Sequence, residues 1–87
     1  VLERHWRTVV APYRAKLTRV AACESGGRWH IINPPYSGGL QWVASTWAAA
    51  GGRGLAAHAS PLEQMYRAVL TMRRRGGWGD WPVCGSR

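Results

Sequence analysis

Cys23-Glu24-Ser25-Gly26-Gly27 sets one of only four acidic residues of an 87-residue chain, whose formal net charge is +8, at the end of a predicted helix and against two glycines. In so basic a chain, a carboxylate in that position points to chemistry. The plainer reading is a solvated helix-end carboxylate, and composition alone leaves the two equal. The other three acids have structural explanations. Glu3 lies in a polar N-terminal stretch and Asp80 in a Gly/Trp-rich tail. Glu63 reads as a capping residue, three places after Ser60 with Pro61 in the first helical position. It also faces Arg67 at i+4, a pair worth only about 0.2–0.5 kcal/mol.

Upstream of the motif, Tyr13, Leu17, Val20 and Ala21 recur at helical spacing, and one more turn of that face reaches Glu24. Gly26-Gly27 is the stop signal. Glu24 is therefore expected in the last helical turn on the inward face, where the negative end of the helix dipole and desolvation both raise its pKa. Twelve Lys and Arg residues pull the other way. The raising effects win only where no arginine is in contact. Further upstream, Leu2 to Val10 is weakly amphipathic, and Pro12 interrupts it or starts the next helix.

Downstream, Asn33-Pro34-Pro35 cannot be helical, because two prolines remove donors and bias their predecessors to extended forms. Tyr36-Ser37-Gly38-Gly39-Leu40-Gln41-Trp42 reads as a short hairpin, with glycines where the backbone turns or closely approaches something. A short helix is expected from Ser45 or Thr46 through Ala50, stopped by Gly51-Gly52. The last helix follows the Ser60 cap, with Leu62, Met65, Tyr66, Val69 and Leu70 as its apolar stripe. Arg73-Arg74-Arg75 suits the dipole at its end, and Gly76-Gly77 terminates it.

The length gives room for one domain, marginal in stability unless stapled or very well packed. Six Trp and no Phe suit both a small core and a surface that stacks on flat ligands such as sugar rings. Any single Trp reads as core filling; all six in so small a domain do not. No run of 18 apolar residues exists to span a membrane. The chain begins at Val1 without Met or a secretory signal and reads as a processed or excised fragment. Cys23 and Cys84 bracket most of the domain. Either they form a disulfide, for which loop entropy gives roughly 3–4.7 kcal/mol, or they are two buried thiols of a cytosolic protein.

Four linked stretches then carry a resemblance: Cys23 to Trp29, Tyr36 to Trp42, Ser45-Thr46-Trp47-Ala48-Ala49, and Gly77 to Gly85 with its Gly-Trp-Gly-Asp-Trp-Pro-Val-Cys-Gly sequence. Together they resemble the catalytic domain of the resuscitation-promoting factor family, in consistent order from about Leu17 to Gly85. A lone Glu-Ser-Gly-Gly would be weak; four motifs in register are specific. The resemblance implies an α+β, small lysozyme-like fold, mainly helical with a short β-hairpin and one disulfide, Cys23 to Cys84. Residues 1–16 are then an N-terminal helical extension or linker end, and 17–87 the catalytic domain. It implies secretion to the bacterial cell wall and cleavage of peptidoglycan between N-acetylmuramic acid and N-acetylglucosamine.

By the same resemblance Glu24 is the catalytic acid, while Thr46, Gln41 and Tyr36 line the sugar-binding cleft. Trp29, Trp42, Trp47 and Trp78 fall at positions that are aromatic in the family, and Trp42 and Trp29 join the substrate-binding set. The chain departs from the family at Leu17, where an aromatic residue is usual, at Ile32-Asn33-Pro34-Pro35, which replaces a longer Asn/Gly-rich turn, and at Val43-Ala44, where a polar pair often follows.

Glycoside hydrolysis normally uses two carboxylates flanking the bond. Here a second is hard to find, since Asp80 has the neighbours of a structural tail. With one acid, protonated Glu24 donates to the glycosidic oxygen and its carboxylate then accepts a proton from the attacking hydroxyl. That hydroxyl is either water, as in a muramidase, or the muramic 6-OH, as in a lytic transglycosylase. No metal or cofactor is expected. The positive charge fits acidic wall polymers. Nucleic acid is not expected, because apart from Arg73 to Arg75 the arginines are scattered. A monomer is expected, and whether other wall hydrolases are partners stays open. The rival function is a catalytically weak peptidoglycan-binding or signalling module.

Overall fold

The computed structural model describes residues 2–87; Val1, the first residue of the expected extension, lies outside them. Helix α1 (Leu2–Val10) leads through a 3-10 turn (Ala11–Tyr13) into α2 (Arg14–Ser25). Three two-residue strands follow, β1 (Ile32–Asn33), β2 (Tyr36–Ser37) and β3 (Trp42–Val43), then the short α3 (Ala44–Ala49), the long α4 (Pro61–Arg75) and an irregular tail. The architecture is the expected one, mainly helical with a small antiparallel sheet and one disulfide.

Local chemistry accounts for the helix ends. The Ser60 hydroxyl accepts the Glu63 N–H at 3.1 Å, Pro61 occupies the first turn, and Gly76 closes α4 at φ 78°. Helix α2 ends on Gly26 at φ 67°, and its last carbonyls are satisfied by the N–H groups of Gly26 and Gly27. Helix α3 begins at Ala44, slightly earlier than expected, because Val43 at φ −89° and ψ 153° is still extended and serves as its N-cap.

The sheet is larger than the single hairpin that the sequence suggests. Strands β1, β2 and β3 form an antiparallel meander, with Ile32 opposite Ser37 and Tyr36 opposite Val43. Pro34 and Pro35 sit in the turn between β1 and β2, where no ladder donor is required, and Asn33 before them is held extended. The proline pair therefore makes a strand boundary instead of a loop.

The core gathers Leu17, Val20 and Ala21 from α2, Leu40 and Trp42 from the sheet region, Trp47 from α3, Met65, Ala68 and Val69 from α4, and Trp81 and Cys84 from the tail. Trp42 meets Trp47 and Trp81 edge to face, with ring centroids 5.2 and 5.3 Å apart, the geometry that aromatic quadrupoles favour. Helix α1 lies on α4: Trp6 stacks on Tyr66 at 5.6 Å, and Val10 is fully buried.

The buried face of α4 is turned from the predicted stripe. Gln64, Met65, Ala68, Val69 and Thr71 are buried, whereas Leu62, Tyr66 and Leu70 are half-buried. Gln64, a polar residue with no exposed surface, is stable there because its amide is fully engaged. Its Oε1 accepts the Gly39 N–H at 2.9 Å, and its Nε2 donates to the Trp29 and Ala59 carbonyls at 2.8 and 3.1 Å. A Cβ on Gly38 would collide with that amide, and one on Gly39 with the Trp29 ring. The two glycines answer a close approach as well as a turn.

Cys23 and Cys84 are bonded, with Cα atoms 5.7 Å apart across 61 positions of sequence. The bond fastens the tail to α2 beside Glu24, and Lys16 Nζ adds a hydrogen bond to the Gly85 carbonyl at 2.6 Å. Reduction is expected to lower stability by about 3–4.7 kcal/mol on loop entropy, a large share of the margin of a small domain. Intact-mass and thermal-melting measurements with and without reductant check this; an unchanged melting temperature after complete alkylation of both thiols would contradict it.

Candidate active site

Glu24 sits in the last turn of α2, and the residue after it fixes that turn in place. Ser25 is buried; its hydroxyl donates to the Gly39 carbonyl at 2.8 Å, lies 3.1 Å from the Ala21 carbonyl, and accepts the Arg28 N–H at 3.0 Å. The end of the helix is thereby pinned to the turn between β2 and β3. Three of the four acids are ion-paired, Glu3 with Arg7, Glu63 with Arg67 and Asp80 with Arg75. Glu24 alone has no such partner among the described residues. Its burial therefore goes uncompensated, and desolvation pushes its carboxyl above the ordinary value of 4.5.

The carboxylate faces a cleft of about 810 Å³. One wall carries Asn33, Tyr36 and Gln41 from the sheet region; the other is the tail from Asp80 to Cys84. The cleft runs on into a pocket of about 300 Å³ that shares Tyr36, Gln41, Asp80 and Trp81 and adds Trp42, Val43 and Thr46. Glu24, Tyr36, Gln41, Trp42 and Thr46 thus lie along one groove. Trp29 does not line it. Its ring packs on the backbone at Gly39 and its carbonyl receives Gln64.

Gln41 is held in the left-handed region at φ 52°, a conformation that costs a non-glycine residue of order 1–3 kcal/mol. Its side chain helps to maintain it. Nε2 donates to the Gly38 carbonyl at 2.9 Å, and Oε1 accepts from Asn33 Nδ2 at 3.2 Å. One N–H and one lone pair of the amide remain for a ligand. Behind it, Trp42 Nε1 is a buried donor without a partner, in a ring that lines the pocket.

Asp80, read from sequence as tail, is a cleft residue. Its Oδ1 lies 2.9 Å from Arg75 Nε, and its side chain is only 12% exposed. The signal that could have found it is Arg75 five positions earlier, brought back by the Gly76-Gly77 turn. Ser25 and Gln64 were likewise missed as the residues that hold the site together.

Residues 11–84 match the family described as the Transglycosylase-like domain. The chain belongs to that family. It is 45% identical over 80 residues to resuscitation-promoting factor RpfE of Mycobacterium tuberculosis, covering 91% of this chain and 46% of that protein. It is 44% identical over 71 residues to Rpf1 of Corynebacterium glutamicum, covering 78% of this chain and 37% of the relative. With Rpf of Micrococcus luteus the identity is 41% over 70 residues, 79% of this chain and 31% of the other. The chain thus spans less than half the length of these relatives. No helix among the described residues is long and apolar enough to cross a membrane.

A carboxyl whose pKa is raised in the folded state binds its proton more tightly there than when unfolded. Its contribution to stability is full below 4.5 and is lost as pH rises through the raised value. Glu24→Gln, which cannot ionise, is expected to be at least as stable as the parent at pH 7 and to lose that advantage at pH 4. Melting temperatures across that range check it; a variant less stable at pH 7 would contradict it. Gln41→Ala is expected to weaken binding of chitooligosaccharides by about 0.5–1.5 kcal/mol, read by titration well below the melting temperature. Unchanged affinity with a lowered melting temperature would assign Gln41 to bracing alone.

Proposed function

We propose that this domain cleaves the glycan strands of peptidoglycan at the bond between N-acetylmuramic acid and N-acetylglucosamine, in cell-wall remodelling or resuscitation, with Glu24 as its single acid and base. The observation that carries this reading is the environment of Glu24, an unpaired, desolvated carboxyl on a groove lined by aromatic rings and amides. Burial keeps a larger fraction of it protonated at a given pH, as an acid catalyst requires. Family membership and the similarity to resuscitation-promoting factors favour the same activity. Secretion to the wall follows from the same reading.

Protonated Glu24 donates to the glycosidic oxygen as the bond from the muramic anomeric carbon breaks, and the departing sugar leaves with that proton as a hydroxyl. The positive charge on the ring is quenched when the muramic 6-OH attacks the anomeric carbon and Glu24, now a carboxylate, accepts the hydroxyl proton. The product is a 1,6-anhydromuramic end, and the acid is regenerated. Attack from within the substrate gains from proximity and needs no positioned water.

Asp80, the other cleft carboxylate, is engaged by Arg75. It is therefore a poor nucleophile, and no covalent glycosyl-enzyme is expected. Tyr36, Gln41 and Thr46 take binding roles, the exposed Tyr36 ring against a sugar face and the amide and hydroxyl towards N-acetyl and hydroxyl groups, while the buried Trp42 ring forms the floor behind them.

Glu24→Gln is expected to abolish cleavage while sugar binding persists, and Asp80→Asn to retain most activity provided that it still folds. Cleavage by the parent should decline as pH rises through the raised pKa of Glu24. Mass analysis of muropeptides from digests in heavy-oxygen water reads the products. Labelled reducing ends alone would reject the internal attack in favour of water, and a folded but inactive Asp80→Asn would reject the single-acid mechanism. A parent that binds glycan and never cuts it would make the domain a wall-binding module.

A further inference from the structure

We propose that the groove continues past Thr46 into a basic trough between α3 and the end of α4, where Arg74 and Arg75 bind an anionic substituent of the glycan strand, an inference that rests on the glycan reading above. The trough is an open depression lined by Ser45, Thr46, Ala49, Arg74 and Arg75, with no carboxylate among them. Thr46 lines both the trough and the pocket that extends from the cleft. A strand lying beside Glu24 and reaching Thr46 therefore meets the two guanidinium groups next.

Both cations are anchored. Arg74 Nη1 donates to the Ala49 carbonyl at 3.3 Å, and Arg75 Nε to Asp80 Oδ1 at 2.9 Å. Each bond uses one of the five N–H groups of a guanidinium and leaves the others for a ligand. Asp80 is nearly buried in the cleft wall while Arg75 is 57% exposed, so the carboxylate acts as the foot and the cation faces outward. Complementing the dipole at the end of α4 requires only positive charge nearby. Anchoring of two consecutive arginines along an extension of the cleft is a further feature, and Arg73, on the same turn, lines no part of the trough.

A planar guanidinium matches carboxylate and phosphate oxygens in a way that neutral sugar hydroxyls cannot. Peptidoglycan offers such oxygens from two sources, the free carboxylates of stem peptides on the muramic lactyl group and the phosphodiesters of attached wall polymers. The trough therefore favours strands that carry an anion over bare glycan of the same length.

The test uses binding to the Glu24→Gln protein, which keeps ligands intact, together with cleavage by the active parent. Three ligands of one glycan length are compared: with stem peptides, with stem peptides removed, and without peptides but carrying a phosphodiester-linked polymer. At low salt the anionic ligands should bind roughly two- to five-fold more tightly than bare glycan, the range of an exposed charge pair. Arg74→Gln should remove that preference, Arg74→Lys should keep part of it, and neither should alter binding or cleavage of bare glycan. A preference confined to one anionic ligand identifies the source of the anion. If Arg74→Gln leaves the preference intact, or weakens all three ligands alike, the trough is not an anion site. A parent that prefers anionic ligands yet cuts none of them would retire the cleavage reading and keep the trough; one that cuts all three equally well would retire the trough alone.

Discussion

The backbone of Gly39 is gripped on both sides by buried side chains, and the rest of the site depends on that grip. Its N–H goes to Gln64 of α4 and its carbonyl to Ser25 of α2. One residue of a turn thus fixes the distance between two helices that share no other polar link near the cleft among the hydrogen bonds described. Backbone groups so deep in a core would each cost about 1–3 kcal/mol if left unpaired, so the arrangement is held firmly. Glu24 lies one residue before Ser25, and Gln41 two residues after Gly39. The acid and the opposite wall of the cleft are therefore positioned by the same two hydrogen bonds.

Much of this was legible because it is local. A serine three residues before a glutamate, with proline between, fixes the start of α4 by chemistry that spans one turn. A double glycine after an apolar helical face fixes the end of α2 in the same way. The Cys23–Cys84 pairing and the choice of Thr46, Gln41, Tyr36 and Trp42, which the structure sets along one groove, came through the family resemblance, since spacing alone leaves them undetermined. What escaped was non-local. Gln64 reads as a surface residue on any hydropathy pattern, and it is the distant partners Trp29 and Gly39, with Ala59 nearby, that make its burial stable. Strand β1 was hidden because proline counts against strands in general, whereas at a turn it counts against nothing. Asp80 looked like tail because the Gly76-Gly77 turn that folds it back on Arg75 carries no signal of direction. Trp29, grouped with the substrate-binding aromatics, has its ring against the backbone at Gly39, a long-range contact that spacing does not encode.

Electrostatics divides the four acids sharply. In a chain with a net charge of +8, pairing a carboxylate is easy, and three of them are paired. Leaving one unpaired requires that the basic residues be kept away from it. The end of α2 achieves this by turning Arg28 back: its Nε donates to the Ser25 carbonyl at 2.7 Å. The nearest arginine in sequence is thus spent on the helix terminus, where its charge also suits the dipole. Left unpaired and partly desolvated, the carboxyl has its pKa raised, which costs some stability at pH values where it is ionised.

The cleft draws its walls from regions far apart in sequence, the end of α2, the turn after β2 and the tail from Asp80 to Cys84. Contacts of that separation are slow to form, because the loops that they close cost entropy before any contact rewards them. Helices α2 and α4 can gain their caps early, but the groove does not exist until residues 80–84 have been laid against α2 and Cys84 has found Cys23. A chain whose tail is not yet laid down still carries Glu24, yet the groove beside it has one wall only, so the cleft is a property of the completed fold with its tail tethered through Cys84.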